Sequence, residues 1–268
     1  MKIIDIGANL THESFSPDLD QVIARAKDAG VVQMMITGAS GQGSVDALAL
    51  AKKYPGYFFA TCGNHPHYAE AFDAQMAADF AELIQHPEVK AAGEMGLDYF
   101  RDLAPRQVQQ YAFQSQLELA ISSGKPAFLH QRDAHQDFLA IMREYRDQLS
   151  QAVVHCFTDS AEALSDYLDL DLHIGITGWI CDERRGAHLK ELVSSIPANR
   201  LMVETDSPYL MPRDLKPKPK SRRNEPMHLP HILREVARCR GEDPELTAAS
   251  TTATARAFFN LDEAPAAG

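Results

Sequence analysis

The chain has 268 residues, 45% of them hydrophobic and 24% charged, with no strong low-complexity tract, which is the composition of a globular protein and excludes a disordered chain. Its net charge of −11 sets the molecule as a whole against a polyanion, so any contact with nucleic acid requires a local basic patch. No apolar run approaches the roughly 18 residues of a membrane span, the first strand is interrupted by Asp5 and lacks the form of a signal peptide, and Cys62, Cys156, Cys181 and Cys239 are scattered without a C-x-x-C pair, so a cytoplasmic chain with reduced thiols is expected.

Taken in chain order, short apolar runs bounded by turn formers predict strands at residues 2–6, 31–37, 57–62, 89–92, 126–129, 152–157, 172–176 and 201–204. Between them, residues 18–30, 44–56, 69–86, 106–124, 133–149, 160–170 and 184–196 repeat apolar side chains at i, i+3 or i+4 and predict helices. Residues 226–241 and 244–260 predict two closing helices. Strict alternation argues for a parallel sheet with right-handed crossovers, and eight repeats argue for an α/β fold closed into a TIM-like (β/α)8 barrel, one domain over 1–268. The alternative, an open doubly wound sheet, wants a Gly-rich phosphate loop after its first strand, and "GANLTHES" is not G-x-G-x-x-G.

Side chains able to ligate metal or move protons fall at the C-terminal ends of the predicted strands, where barrels carry their chemistry. His65 and His67 end the third, Glu94 and Asp98 the fourth, and His130 the fifth, with Arg132, Asp133 and His135 beyond it. His155 ends the sixth, and Glu204 and Asp206 the eighth. A lone His beside an apolar strand is more often a packed core residue, and an acid after a strand is commonly a helix cap. Two carboxylates and two imidazoles at one barrel mouth change that reading, because buried charges must be paired or coordinated. Glu94, His130, His155 and Asp206 are therefore expected to hold a divalent metal. Trp179, the only Trp, is read evenly as a packing residue or as a platform for a base. Residues 212–226 carry Arg213, Lys216, Lys218, Lys220, Arg222 and Arg223 against Asp214 and Glu225. With Arg132, Arg222 or Arg223 suits bidentate contact to phosphate; the plain alternative is a solvated linker held open by Pro217 and Pro219. His86, His135, His173, His188, His228 and His231 lie within or beside helical and strand patterns and are read as structural or solvated.

"GNHPH" at 63–67, "GEMGLDYF" at 93–100, "QSQLELA" at 114–120, "KPAFLHQRDAH" at 125–135, "VVHCFT" at 153–158, "IGITGWI" at 174–180, "VETDSPYL" at 203–210 and "SRRNEP" at 221–226 together resemble the TatD family of metal-dependent deoxyribonucleases. The resemblance implies a TIM-like barrel that hydrolyses phosphodiesters with a divalent cation, usually Mg2+, with Mn2+ or Zn2+ as alternatives. "GITGWICDERRG" and the basic segment resemble the branch for which it implies 3′–5′ exonuclease action on single-stranded DNA and RNA and a part in DNA repair. By motif, Glu94, His130 and His155 correspond to metal ligands, Asp206 to a ligand or base, and His65 to a contact on the reacting phosphate. The chain departs from the family at the first strand, where Gly7 and Asn9 replace the usual His-x-His. Asn9 is read as an amide that positions water or substrate, with one ion held tightly and a second weakly. No membrane and no obligate protein partner is expected, and the chain is expected to act as a monomer. The rival readings are a deaminase or lactonase of the same barrel class and a non-catalytic nucleic-acid-binding protein.

Overall fold

In the computed structural model, which describes residues 1–262, strands and helices alternate along the chain. The strands are β1 (Ile3–Ala8), β2 (Val31–Ile36), β3 (Phe58–Cys62), β4 (Val89–Asp98), β5 (Ala127–Arg132), β6 (Ala152–Val154), β7 (His173–Ile176) and β8 (Leu201–Val203). The helices are α1 (Leu19–Asp28), α2 (Gly41–Lys53), α3 (Ala74–Leu83), α4 (Arg106–Ser123), α5 (His135–Tyr145), α6 (Ala161–Asp169), α7 (Ala187–Leu192), α8 (Leu229–Arg240) and α9 (Pro244–Phe259). The sheet has eight strands in the order β1 to β8, and a parallel bridge from Ala8 to Ser207 links the end of β1 to the segment after β8. This is the strand order of a (β/α)8 barrel. Of the domain expected over 1–268, residues 263–268 lie outside the described residues.

The chain forms two compact units. One comprises Met1–Met35, Cys156–Thr158 and the described residues from Ile174 onward; Ile3, Ile4, Ile6 and Phe15 are fully buried in it. The other comprises Ile36–His155 and Asp159–His173, with Phe58, Phe80, Phe113, Phe128, Phe138 and Tyr167 fully buried. Its Phe113 and Phe138 rings stack with centroids 5.4 Å apart. Each such side chain contributes roughly 1.5–3 kcal/mol on burial.

Several strand ends differ from the sequence expectation. The expected end of β4 is Ala92, whereas the strand runs to Asp98, so Glu94 and Asp98 lie inside it. Gly93 and Gly96 make this possible: at φ +130° and +145°, a Cβ would lie 2.1 Å from the Phe128 carbonyl oxygen and 1.9 Å from that of His130. β4 thus lies against β5 at a distance no side chain tolerates, and Gly96 pairs with His130 and Asp98 with Arg132 in register. β5 likewise continues past its expected end, through His130 to Arg132. β6 is shorter than expected, because Cys156 turns the chain at φ 48°. The helix expected over 69–86 is divided: a 3-10 turn at Pro66–Ala71 ends at Phe72, and Asp73 then caps α3 by accepting from the Met76 N–H.

Candidate metal and phosphodiester site

In the second unit, β3, β4, β5 and β6 bring His65, Glu94, His130 and His155 together around one carboxylate oxygen. Glu94 Oε1 lies 2.8 Å from His155 Nε2, 3.0 Å from His130 Nδ1 and 3.3 Å from His65 Nε2. Glu94, His65 and His155 are buried, and His130 is half-buried. One ligand atom from each of His65, Glu94 and His130 falls within 4.8 Å of the others, spacing suited to a shared cation. Burial opposes charge on Glu94, but the His65 and His155 rings and hydrogen bonds from His130 and His155 outweigh it and hold the carboxyl well below the usual carboxylate range. Burial, helped by the neighbouring imidazoles and opposed by Glu94, pushes His65 down to about 3, so its ring is neutral at physiological pH.

Hydrogen bonds assign the tautomers. His65 Nδ1 accepts from the His67 N–H at 3.1 Å, which leaves the ring proton on Nε2. His65 is therefore an N–H donor at the atom that faces the cluster. His130 lies between two carboxylates, with Nε2 3.3 Å from Asp98 Oδ2 and Nδ1 3.0 Å from Glu94. A proton on Nε2 satisfies Asp98, and a cation that took the place of the Nδ1 proton shared with Glu94 would meet the Nδ1 lone pair aimed at the centre, the arrangement in which a carboxylate orients a metal-binding imidazole. Asp98 also accepts from His67 Nε2 at 2.7 Å. Burial raises Asp98, yet the His130, His67 and Arg101 hydrogen bonds together bring its carboxyl below the ordinary range.

Three supporting residues have roles that the sequence does not disclose. Asp98 stands out at a strand end, but nothing in the sequence shows that it orients two imidazoles. Gln116, buried on α4, brackets the Asn64 peptide: its Oε1 accepts from Asn64 N–H at 2.7 Å and its Nε2 donates to Asn64 C=O at 3.1 Å. Gln109, two helical turns earlier, accepts from the Asp98 N–H at 2.9 Å. Two glutamines seven apart on an otherwise apolar helix face are the available signal.

In the first unit, the end of β1 meets the segment after β8. Asn9 Nδ2 donates to Asp206 Oδ1 at 2.9 Å and to the Ser207 carbonyl at 3.2 Å, while the Asp206 N–H donates to Gly7 C=O. Asp206 sits in the left-handed region at φ 51°, which Asp adopts more readily than most residues. In place of His-x-His, the chain thus carries an amide bound to an acid. Glu204 accepts from the Cys156 N–H at 2.5 Å.

The remaining expected substrate residues are placed as follows. The Arg132 guanidinium lies 3.8 Å from the Phe100 ring centroid, and that residue is 54% exposed. Trp179 carries the Arg185 guanidinium over its ring at 4.2 Å, so one face of the indole is covered by a cation. Arg223 is bound by its own chain: Nη1 and Nη2 donate to Asp18 at 2.7 and 2.8 Å, and Nη2 also to Glu225 at 2.8 Å. Arg222 is exposed. Among the described residues, no helix is long and apolar enough to cross a membrane.

Residues 4–260 match the family model described as TatD related DNase. A protein of Erwinia billingiae named 3'-5' ssDNA/RNA exonuclease TatD is 51% identical over 97% of this chain and 99% of its own length. One of Edwardsiella piscicida with the same name is 50% identical over 97% of this chain and its whole length. Among solved structures, YJJV, a TatD homologue of Escherichia coli, superposes with a TM-score of 0.89 at 25% identity, covering 97% of this chain and 98% of that one.

Proposed function

The chain belongs to the family of TatD-related DNases, and from that premise we propose that it is a divalent-metal-dependent nuclease that removes nucleotides from the 3′ end of single-stranded DNA and RNA. The observation that carries this reading is the convergence of three imidazole nitrogens on Glu94 Oε1. Nitrogen and carboxylate donors at this spacing fit a divalent cation; because His65 Nε2 carries its proton, we assign His155, 2.8 Å from Glu94, in its place, so that Glu94, His130 and His155 hold the ion, with Asp206 kept as a further ligand or as base. Magnesium is our choice of metal on the family resemblance alone, and the two imidazoles among the donors suit manganese or zinc as alternatives. A bound cation offsets charge on the reacting phosphate and lowers the pKa of water.

The chain's own groups do the rest. His65, neutral with its proton on Nε2, donates to a non-bridging phosphate oxygen. The Asn9 amide holds Asp206 Oδ1 and so fixes the orientation of the carboxylate, to which we assign the orienting or deprotonation of the attacking water. Phe100 offers the ring face opposite Arg132 for a base to stack on, and Arg132 over the other face pairs with a flanking phosphate. To Arg222 and the lysines of the basic segment we assign electrostatic contact with the strand; Trp179 and Arg223 belong to the same assignment, Trp179 through the ring face opposite Arg185 and Arg223 by fixing the segment's end. We read 1–268 as one such domain, a view supported by the family match over 4–260. All four cysteines keep their thiols, which fits the cytoplasm, where we place the protein as a monomer with a part in DNA repair.

The deciding experiment digests 5′- and 3′-labelled single strands beside a duplex with the metal titrated. Glu94→Gln is expected to lower the rate by about a hundredfold or more while leaving the unfolding transition in place. Undiminished cleavage by that variant would overturn the assignment.

A further inference from the structure

A second group of convergent donors lies within the first unit and shares no residue with the Glu94 cluster. Cys181 ends the 3-10 turn Gly178–Cys181 that follows β7, His231 lies on the first turn of α8, and Asp214 belongs to the basic segment after β8. One ligand atom from each lies within 4.8 Å of the other two. His231 Nε2 and Asp214 Oδ1 are 2.7 Å apart. Cys181 is 1% exposed, whereas the side chains of His231 and Asp214 are 32% and 43% exposed, so the thiol closes the floor of the group and the other two residues leave it open to solvent.

We propose that Cys181, Asp214 and His231 bind a thiophilic divalent cation of the zinc class, which fastens the basic segment to α8 and to the turn after β7. One sulfur, one imidazole nitrogen and one carboxylate oxygen form a set that magnesium disfavours and zinc accepts in tetrahedral geometry, with water in the fourth position. Tetrahedral zinc spaces its ligands about 3.3–3.8 Å apart. The donor atoms lie within 4.8 Å of one another, and His231 Nε2 and Asp214 Oδ1, at 2.7 Å, open by about half an ångström to bracket the ion, a movement that Asp214, exposed on its loop, supplies. Binding displaces the thiol proton to solvent and leaves the thiolate on the metal. Glu235, one turn after His231 on α8, is already paired with Lys190 at 2.8 Å and with Arg238 at 2.8 Å, so it stays outside the ligand set. Arg213, next to Asp214, reaches Asp182 and Glu183 at 3.8 and 3.6 Å, so the segment already approaches the turn that the cation would join.

Cobalt(II) distinguishes this site from the Glu94 cluster, because a thiolate ligand gives a sulfur-to-cobalt charge-transfer band that nitrogen and oxygen donors do not. Titration of the full chain with Co2+ is expected to produce that band, and zinc is expected to displace it. Glu94→Gln should keep the band at full intensity. Cys181→Ser should abolish it, and His231→Gln, a change at a partly exposed position, should weaken cobalt binding by about tenfold or more. No band in the unmodified protein, or a band that survives both Cys181→Ser and His231→Gln, would overturn the proposal; if Cys181→Ser fails to fold, the affinity of His231→Gln decides it.

Discussion

At the scale of single residues, the first strand and the loop after it carry two devices built from short polar side chains. Asn9 fixes one oxygen of Asp206, and a hydrogen bond to a charged group is worth about 1.5–3 kcal/mol. Asn9→Ala is therefore expected to lower turnover about tenfold or more with little change in KM, since the acid loses its orientation while the groups that grip the substrate stay in place. Asn9→His restores an imidazole where the sequence departs from the family, and metal counting per chain is expected to show a second ion held more tightly. Asp5 is the other device. Burial lifts its carboxyl from 3.8 to about 7, against hydrogen bonds from Thr205 and Gly7. The folded chain therefore keeps a proton that the unfolded chain has lost. The associated stability is complete below about pH 3.8 and is lost as pH rises to about 7, at roughly 1.4 kcal/mol per pH unit in that window. Asp5→Asn places a neutral amide in the same pocket, beside Thr205 Oγ1, which stands 2.6 Å from Asp5 Oδ2. Urea unfolding from pH 4 to 8 should show that slope in the natural chain and a flatter profile in the variant; equal slopes would count against the assignment.

At the scale of elements, the alternation of strands and helices is legible because apolar periodicity is local, and it brings His65, His130 and His155 to the C-terminal sides of β3, β5 and β6 even though the exact ends of β5 and β6 differ from expectation. The extension of β4 is not, because Gly93 and Gly96 look like strand breakers until β5 lies against them. Gly96→Ala is expected to cost at least about 2 kcal/mol in equilibrium unfolding, combining a positive φ with a clash against backbone. The residues that hold the site in place are the least readable part. Gln116 is far in sequence from the Asn64 peptide it brackets, and Asp98 acts on two imidazoles from other segments, so neither role shows in local spacing. The ion pairs of Arg223 are hidden for the same reason, since Asp18 stands 205 positions away along the chain.

At the scale of the whole molecule, a net charge of −11 surrounds one segment rich in Lys and Arg, and single-strand binding through that segment should weaken as salt rises. Replacing Lys216, Lys218 and Lys220 by Ala is expected to reduce the slope of log affinity against log salt by about 2, because each phosphate that a lysine neutralises on a single strand adds about 0.7 to it. An unchanged slope would mean that these lysines face solvent only. The ion pairs of Arg213 with Asp182 and Glu183, and of Arg223 with Asp18 and Glu225, hold the two ends of this stretch. It is consequently a span and not a tail, and two prolines stiffen it further. A tail would capture a passing strand by reaching out and then lose its freedom as it settled. A span meets the strand already ordered, so the encounter is governed by charge and orientation, and the complex forms without a slow folding phase.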